Sequence, residues 1–223
     1  MEQNTKKLCI IIFSVLVVQF LCRYYSKYFV YGNGFHALIF VLRFGVPLVV
    51  VPLFLKTSWS SLGVCLPKIS KTGLLWLAGV LILVPLCLYS IRLNPAYQNY
   101  YHTYARSSAA VYTRFAVFTF STLLGWEFLH RGFLLFSLKN LLAGEGTASP
   151  KNRLSSQTAA VLALLIVALC ETLYHFIKPD MEAFGMLVGS PVLSAIALRT
   201  KSILIPLFIH LYVEAWFILY IAG

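Results

Sequence analysis

The sequence predicts an all-α fold, a polytopic membrane bundle of about seven transmembrane helices with a core of the last four. Two observations carry this. Of 223 residues, 60% are hydrophobic and 11% charged, whereas about 25% are charged in an ordinary soluble domain. Apolar runs long enough to cross a hydrocarbon core of about 30 Å also recur along the whole chain, and no stretch remains for a separate soluble domain. The expected organisation is one membrane domain, 1–223, with three N-terminal helices over 8–91 and a core over 111–221.

The first span is read from Leu8 to Cys22. Lys6 and Lys7 before it resemble the charged region of a secretory signal, but no small-residue cleavage site follows, and Leu21 is too large for lipoprotein processing at Cys22. An uncleaved helix is expected. The second span runs from Phe35 to Leu55 and buries Arg43, which has no acidic partner one helical turn away. The third runs from Thr72 to Ile91. The fourth, Val111 to Leu138, is long for one span and is expected to tilt. The fifth runs from Gln157 to Ile177. The sixth, Gly185 to Leu198, is short and holds Pro191, so a kinked, tilted or incompletely spanning helix is expected. The seventh runs from Ile203 to Ile221.

Lys and Arg are more numerous in the N-terminus and the loops after spans two, four and six than on the opposite side, which puts the N-terminus in the cytoplasm. The connection KTSWSSLGVCLPKISK, Lys56 to Lys71, is then cytoplasmic, and the tyrosine-rich segment from Asn94 to Ser108 lies at the outer interface. Topology and lipid headgroups account for the net charge of +11, and no nucleic-acid partner is implied. The five cysteines are odd in number, form no CxxC pair and mostly lie in apolar runs, where they act as small hydrophobes. The composition points to an integral membrane protein with the lipid bilayer as its surroundings.

Seven residues are acidic. Glu2, Glu145, Asp180 and Glu182 are placed in loops or tails, while Glu127, Glu171 and Glu214 fall inside spans. Each of these three has a polar residue four positions away: Glu127 with Arg131, Glu171 with His175, and His210 with Glu214. That spacing puts each pair on one helix face. Unpaired, three glutamates and Arg131 at mid-membrane depth would cost on the order of 10 kcal/mol, comparable with the whole stability of a domain, about 5–15 kcal/mol. Spans four, five and seven are therefore expected to turn these faces toward one another around a small hydrated cavity. The bland alternative is that each pair is structural glue between helices. His130 is expected to support the site from a helix flank, and His36 and His102 to be interfacial.

These residues resemble a family. A Glu-x-x-x-Arg-Gly helix (Glu127, Arg131, Gly132 in EFLHRGFLL), a helix ending in histidine (ETLYH, His175) and Pro-x-x-x-His with a polar residue four later (Pro206, His210, Glu214) follow in the order seen in CPBP proteins. That family comprises the second type of CAAX prenyl endopeptidase and the bacterial Abi or bacteriocin-processing relatives. The resemblance covers the last four helices, and the LG of SWSSLGVCLPK is similar to the loop before that core. Three positions depart from the pattern. Trp126 stands where the family has the glutamate proposed as catalytic base, Glu171 stands where it has Phe, and Glu214 where it has Asn or Asp. Because Glu171 shares a face with His175, the missing carboxylate is expected to have moved from the fourth helix to the fifth. The chain then resembles the bacterial subset with WExxxR and ExxxH motifs.

The resemblance implies an intramembrane peptidase acting on membrane-anchored polypeptides, in a bacterial inner membrane. Glu171, helped by His175, would activate water, since a desolvated carboxylate is a stronger base. His210, oriented by Glu214, would serve the oxyanion and leaving amine, and Glu127 paired with Arg131 would orient the site. No cofactor or metal is favoured; zinc is the minority reading, given histidines beside glutamates but no HExxH. The alternatives are a catalytically silent scaffold or immunity protein of the same fold, and a proton-coupled transporter, which would show two similar halves or broken helices.

Overall fold

A computed structural model of the chain describes residues 2–25, 33–99, 120–144, 154–176 and 180–217. Seven long helical segments occur among them. We number these α1 (Glu2–Tyr25), α2 (33–55), α3 (Lys71–Ile91), α4 (120–142), α5 (Ser156–His175), α6 (Asp180–Thr200) and α7 (Leu204–Phe217). Five of them, α1, α2, α3, α5 and α6, are long and apolar enough to cross a membrane. Helix α4 carries Glu127, Arg131 and Lys139, and α7 is described over 14 residues.

The sixth helix corrects the sequence reading. It is not a short element but runs 21 residues, with Pro191 inside it. Asp180 and Glu182, expected in a loop, fall in its first turn. The first helix likewise begins earlier than Leu8. Part of the expected fourth span, 111–119, and His102 lie outside the described residues.

Local chemistry accounts for several boundaries. Ser70 caps α3 by accepting from the Gly73 N–H at 3.0 Å, and Ser155 caps α5 by accepting from the Thr158 N–H at 3.1 Å. Each satisfies a donor that the helix start leaves unpaired. In α2, Pro47 and Pro52 cannot donate to the carbonyls four residues before them. Helix α2 accommodates them with two π-helical turns, Val41–Gly45 and Val51–Leu55, and ends at Lys56 in the left-handed conformation, φ 52°.

Helix α4 is the centre of the bundle. It begins as α-helix, Phe120–Glu127, widens into a nine-residue π-helical stretch, Phe128–Phe136, and returns to α-helix over Ser137–Leu142. Residues 125–138 are all buried, as expected of a helix enclosed on every side. By contrast α3 exposes Leu74, Leu75, Ile82, Leu83 and Leu86, which suits a lipid-facing helix. Tyr97, expected at the outer interface, is instead 3% exposed and stacks on Phe217 of α7 at 5.8 Å.

The connection between α2 and α3 is part of the core. Leu62 is fully buried, and Gly63 adopts φ 75°, where an added Cβ would lie 2.5 Å from the Phe136 ring. From there the strand of chain is laced to the turn between α6 and α7. The Ile203 N–H donates to Gly63 O at 3.0 Å, Ser202 Oγ to Cys65 O at 2.6 Å, and the Lys68 N–H to Thr200 O at 2.8 Å. At the same end, Lys7 Nζ of α1 donates to Leu55 O at 3.1 Å. The start of α1, this loop and the α6–α7 turn therefore share one end of the bundle, as alternating spans require.

Candidate active site

The polar side chains on α4, α5 and α7 do converge, and Arg131 is the hub. Its Nη1 donates to Glu127 Oε1 at 3.1 Å and also to Glu171 Oε1, and its Nη2 donates to Glu171 Oε2 at 2.7 Å. Glu171 is thus held at both oxygens by one planar guanidinium, the strongest common geometry for an ion pair. All three groups are 0% exposed. Where the sequence suggests a hydrated cavity, the carboxylates and guanidinium meet directly.

Glu127 is bound unevenly. Its Oε1 accepts from Arg131 and also from His210 Nδ1, at 2.8 Å. Its Oε2 is buried and, among the described residues, has no hydrogen-bond partner. An unpaired buried carboxylate oxygen is costly and marks a position where a donor belongs. Because Oε1 can only accept, His210 carries its proton on Nδ1. The His210 side chain is 11% exposed, which makes it the member of this group that reaches the outside. Glu214 is half-buried. The His210 Nδ1 bond runs across helices to Glu127 on α4.

The two remaining histidines differ from expectation. His130 does not sit at a helix flank but is fully buried, with Nδ1 3.0 Å from Trp126 O and 3.7 Å from Glu171 Oε1. Its Nε2 lies 2.9 Å from Gln19 Nε2. The same Gln19 nitrogen donates to Cys170 O at 3.3 Å. A carbonyl oxygen accepts only, so the amide nitrogen faces both partners, His130 Nε2 accepts, and Nδ1 bears the proton given to Trp126 O. His175 Nδ1 donates to the main-chain oxygen of Glu171 at 2.8 Å, which fixes the ring to its own helix. Its edge points at the Trp126 ring, 5.2 Å away.

Trp126 is packed among rings. The indole is 3% exposed and lies 4.0 Å from the His130 ring and 5.1 Å from Tyr174. Against it sits Arg43 from the first π-helical turn of α2, with the guanidinium carbon 4.6 Å from the Trp126 ring centre and 5.2 Å from that of Tyr174. These are cation–π distances, and they answer what holds Arg43 inside the bundle. Gly125 permits the approach, since a Cβ there would meet Arg43 Cβ at 3.1 Å. Gln19 and Tyr174 were missed from the sequence. A lone amide in the apolar first span was the available signal for Gln19.

Among the described residues, no group of three or more His, Cys, Asp and Glu side chains is arranged to hold a metal ion. The donors are otherwise engaged, Glu171 by Arg131 and two imidazole nitrogens by main-chain oxygens.

Compared with known proteins, residues 107–216 match the family model for type II CAAX prenyl endopeptidase Rce1-like proteins. The match takes in α4 to α7 and every polar group assigned to them above. Gln19 and Arg43 lie outside it. Neither a curated protein nor a solved structure matches the chain.

Proposed function

With residues 107–216 belonging to the Rce1-like type II CAAX prenyl endopeptidases, we propose that the protein is an intramembrane peptidase in which Glu127, not Glu171, activates the water. The observation that carries this assignment is the uneven hydrogen bonding of the two carboxylates. Glu171 has both oxygens bonded to Arg131, whereas Glu127 Oε2, beside the part-exposed His210, has no partner among the described residues.

In this reading a water is held by Glu127 Oε2 and attacks the scissile carbonyl carbon as its proton passes to the carboxylate. The C–N bond then breaks as the protonated Glu127 Oε2 gives that proton to the departing amine, while His210, donating from Nδ1 to Oε1 at 2.8 Å, keeps the carboxyl oriented. Arg131 and Glu171 are positioning residues. Their bidentate pair fixes the guanidinium that holds Glu127 Oε1, so the carboxylate needs no rearrangement during reaction. His130, locked by Gln19 and Trp126, and His175 buttress this arrangement.

The substrate class is a membrane-anchored polypeptide, the membrane that of a bacterial cell, and the N-terminal end faces the cytoplasm. Neither cofactor nor metal takes part, so stringent chelation should leave cleavage unchanged, whereas loss restored by zinc would reverse this. The deciding experiment compares Glu127→Gln with Glu171→Gln in membranes, following new termini on a co-expressed anchored substrate by mass spectrometry. Loss with Glu127→Gln and partial retention with Glu171→Gln is expected. The opposite order would return the base to Glu171, and full activity in both would refute carboxylate catalysis.

A further inference from the structure

Helix α3 carries Pro85 in its interior. In a regular helix the N–H of position 85 would bond to the carbonyl oxygen of Leu81, and proline has no such N–H. A carbonyl freed in this way inside a membrane needs a donor from elsewhere. Here it comes from α7, where the Tyr212 hydroxyl donates to Leu81 O at 2.9 Å. Tyr212 stands two positions after His210. At about 100° per residue the two side chains leave α7 on nearly opposite faces. His210 donates to Glu127 of α4 at 2.8 Å, so α7 is tied to a different helix on each side within one turn. The apolar contacts of α7, such as Phe217 on Tyr97 at 5.8 Å, bring the helices together without preferring a direction. Hydrogen bonds constrain angle as well as distance.

We propose that Tyr212 is a positioning residue acting through His210: by tying α7 to the carbonyl that Pro85 frees, it sets the rotation of α7 at which His210 meets Glu127. This rests on the peptidase reading for its effect on cleavage, while the tether itself does not. A side-chain tip about 5–6 Å from a helix axis moves by about 1 Å when the helix turns by about 10°. That movement takes a 2.8 Å bond past the hydrogen-bonding range, and a misplacement of about 1 Å can lower a rate about a hundredfold. The start of α7 is fixed separately, by the Ile203 N–H on Gly63 O. Tyr212 adds a directional restraint on the other side of His210 from that turn. Its acceptor lies on α3, outside residues 107–216, so the family-matched part draws this restraint from the rest of the chain.

The test uses the full chain in mixed micelles. In reversible unfolding with SDS, Tyr212→Phe should shift the equilibrium constant by about tenfold in the wild type and by less than about threefold in Pro85→Ala, where Leu81 O regains a backbone N–H. His210→Leu should likewise shift it about threefold less in Tyr212→Phe than in the wild type, because the His210–Glu127 bond is already loosened there. Shifts equal within about twofold in either cycle would overturn the proposal. Cleavage is followed on a farnesylated Cys-Val-Ile-Ala peptide, chosen by the family match. Tyr212→Phe should lower kcat by about 10–100-fold with KM within about twofold of wild type, and the double variant with His210→Leu should be no slower than His210→Leu alone. An unchanged kcat, or losses that multiply in the double variant, would overturn the action through His210. If Pro85→Ala does not fold, the His210 cycle decides. Cleavage of no anchored substrate by the wild type would remove the peptidase reading and leave the tether to be decided by unfolding.

Discussion

Replacing Arg131 by Met should be among the most damaging single changes in this protein, and the structure sets its size. Arg131 donates to Glu127 and twice to Glu171, with all three groups fully buried. Removing one partner of a buried ion pair costs about 3–5 kcal/mol. Here a single removal strands two carboxylates, so Arg131→Met should fall at the upper end, about 5 kcal/mol. The damage is specific, because Arg131 holds both oxygens of Glu171. Arg131→Met with Glu171→Leu should therefore be more stable than the sum of the single effects requires, with a coupling of at least about 2 kcal/mol. Reversible unfolding in mixed micelles, titrated with SDS, measures all three variants. Simple additivity within about 0.5 kcal/mol would refute the placement of Arg131 on Glu171.

Glu214→Gln should leave cleavage within about threefold of wild type, whereas Glu127→Gln should reduce it by at least about a hundredfold, in the range of a lost acid–base group; initial rates on one anchored substrate compare them. Gly63→Ala should destabilise by about 1–3 kcal/mol, from the positive φ and the overlap with Phe136, read as a lower unfolding midpoint. Gln19→Leu should cost about 1–3 kcal/mol by leaving the buried His130 Nε2 without its donor, and Gln19→Asn should not recover it, since the shorter side chain cannot reach that ring.

The bundle was legible because hydrophobic length and charge placement are strong signals in a membrane. The convergence of α4, α5 and α7 was legible for the same reason, since buried charge demands company. The partners were not. The i,i+4 rule pairs residues on one helix, and it joined Glu127 to Arg131, but it could not supply the bond from His210 across to Glu127. Glu171 instead turned to Arg131, 40 positions away. Contacts between helices depend on rotation about each axis, which the period alone leaves open. The π-helical stretch over Phe128–Phe136 was also invisible, because a widened turn shifts facing residues without changing composition. Gln19 and the partners of Arg43 were hidden by distance, each residue reaching α4 from another helix.

The loop between α2 and α3 makes the family-matched half dependent on the rest of the chain. It seats Leu62 beside Gly132, with Leu62 O 3.3 Å from where a Cβ on that glycine would stand, and it fastens the α6–α7 turn through Gly63, Cys65 and Lys68. A chain cut to residues 107–216 would keep the two glutamates, Arg131 and His210 yet lose the brace beneath them, along with Gln19 and Arg43. The boundary of recognisable ancestry and the boundary of cooperative folding therefore fall at different places. Exchange of catalytic segments between relatives of this protein would have to carry the 56–68 loop with it.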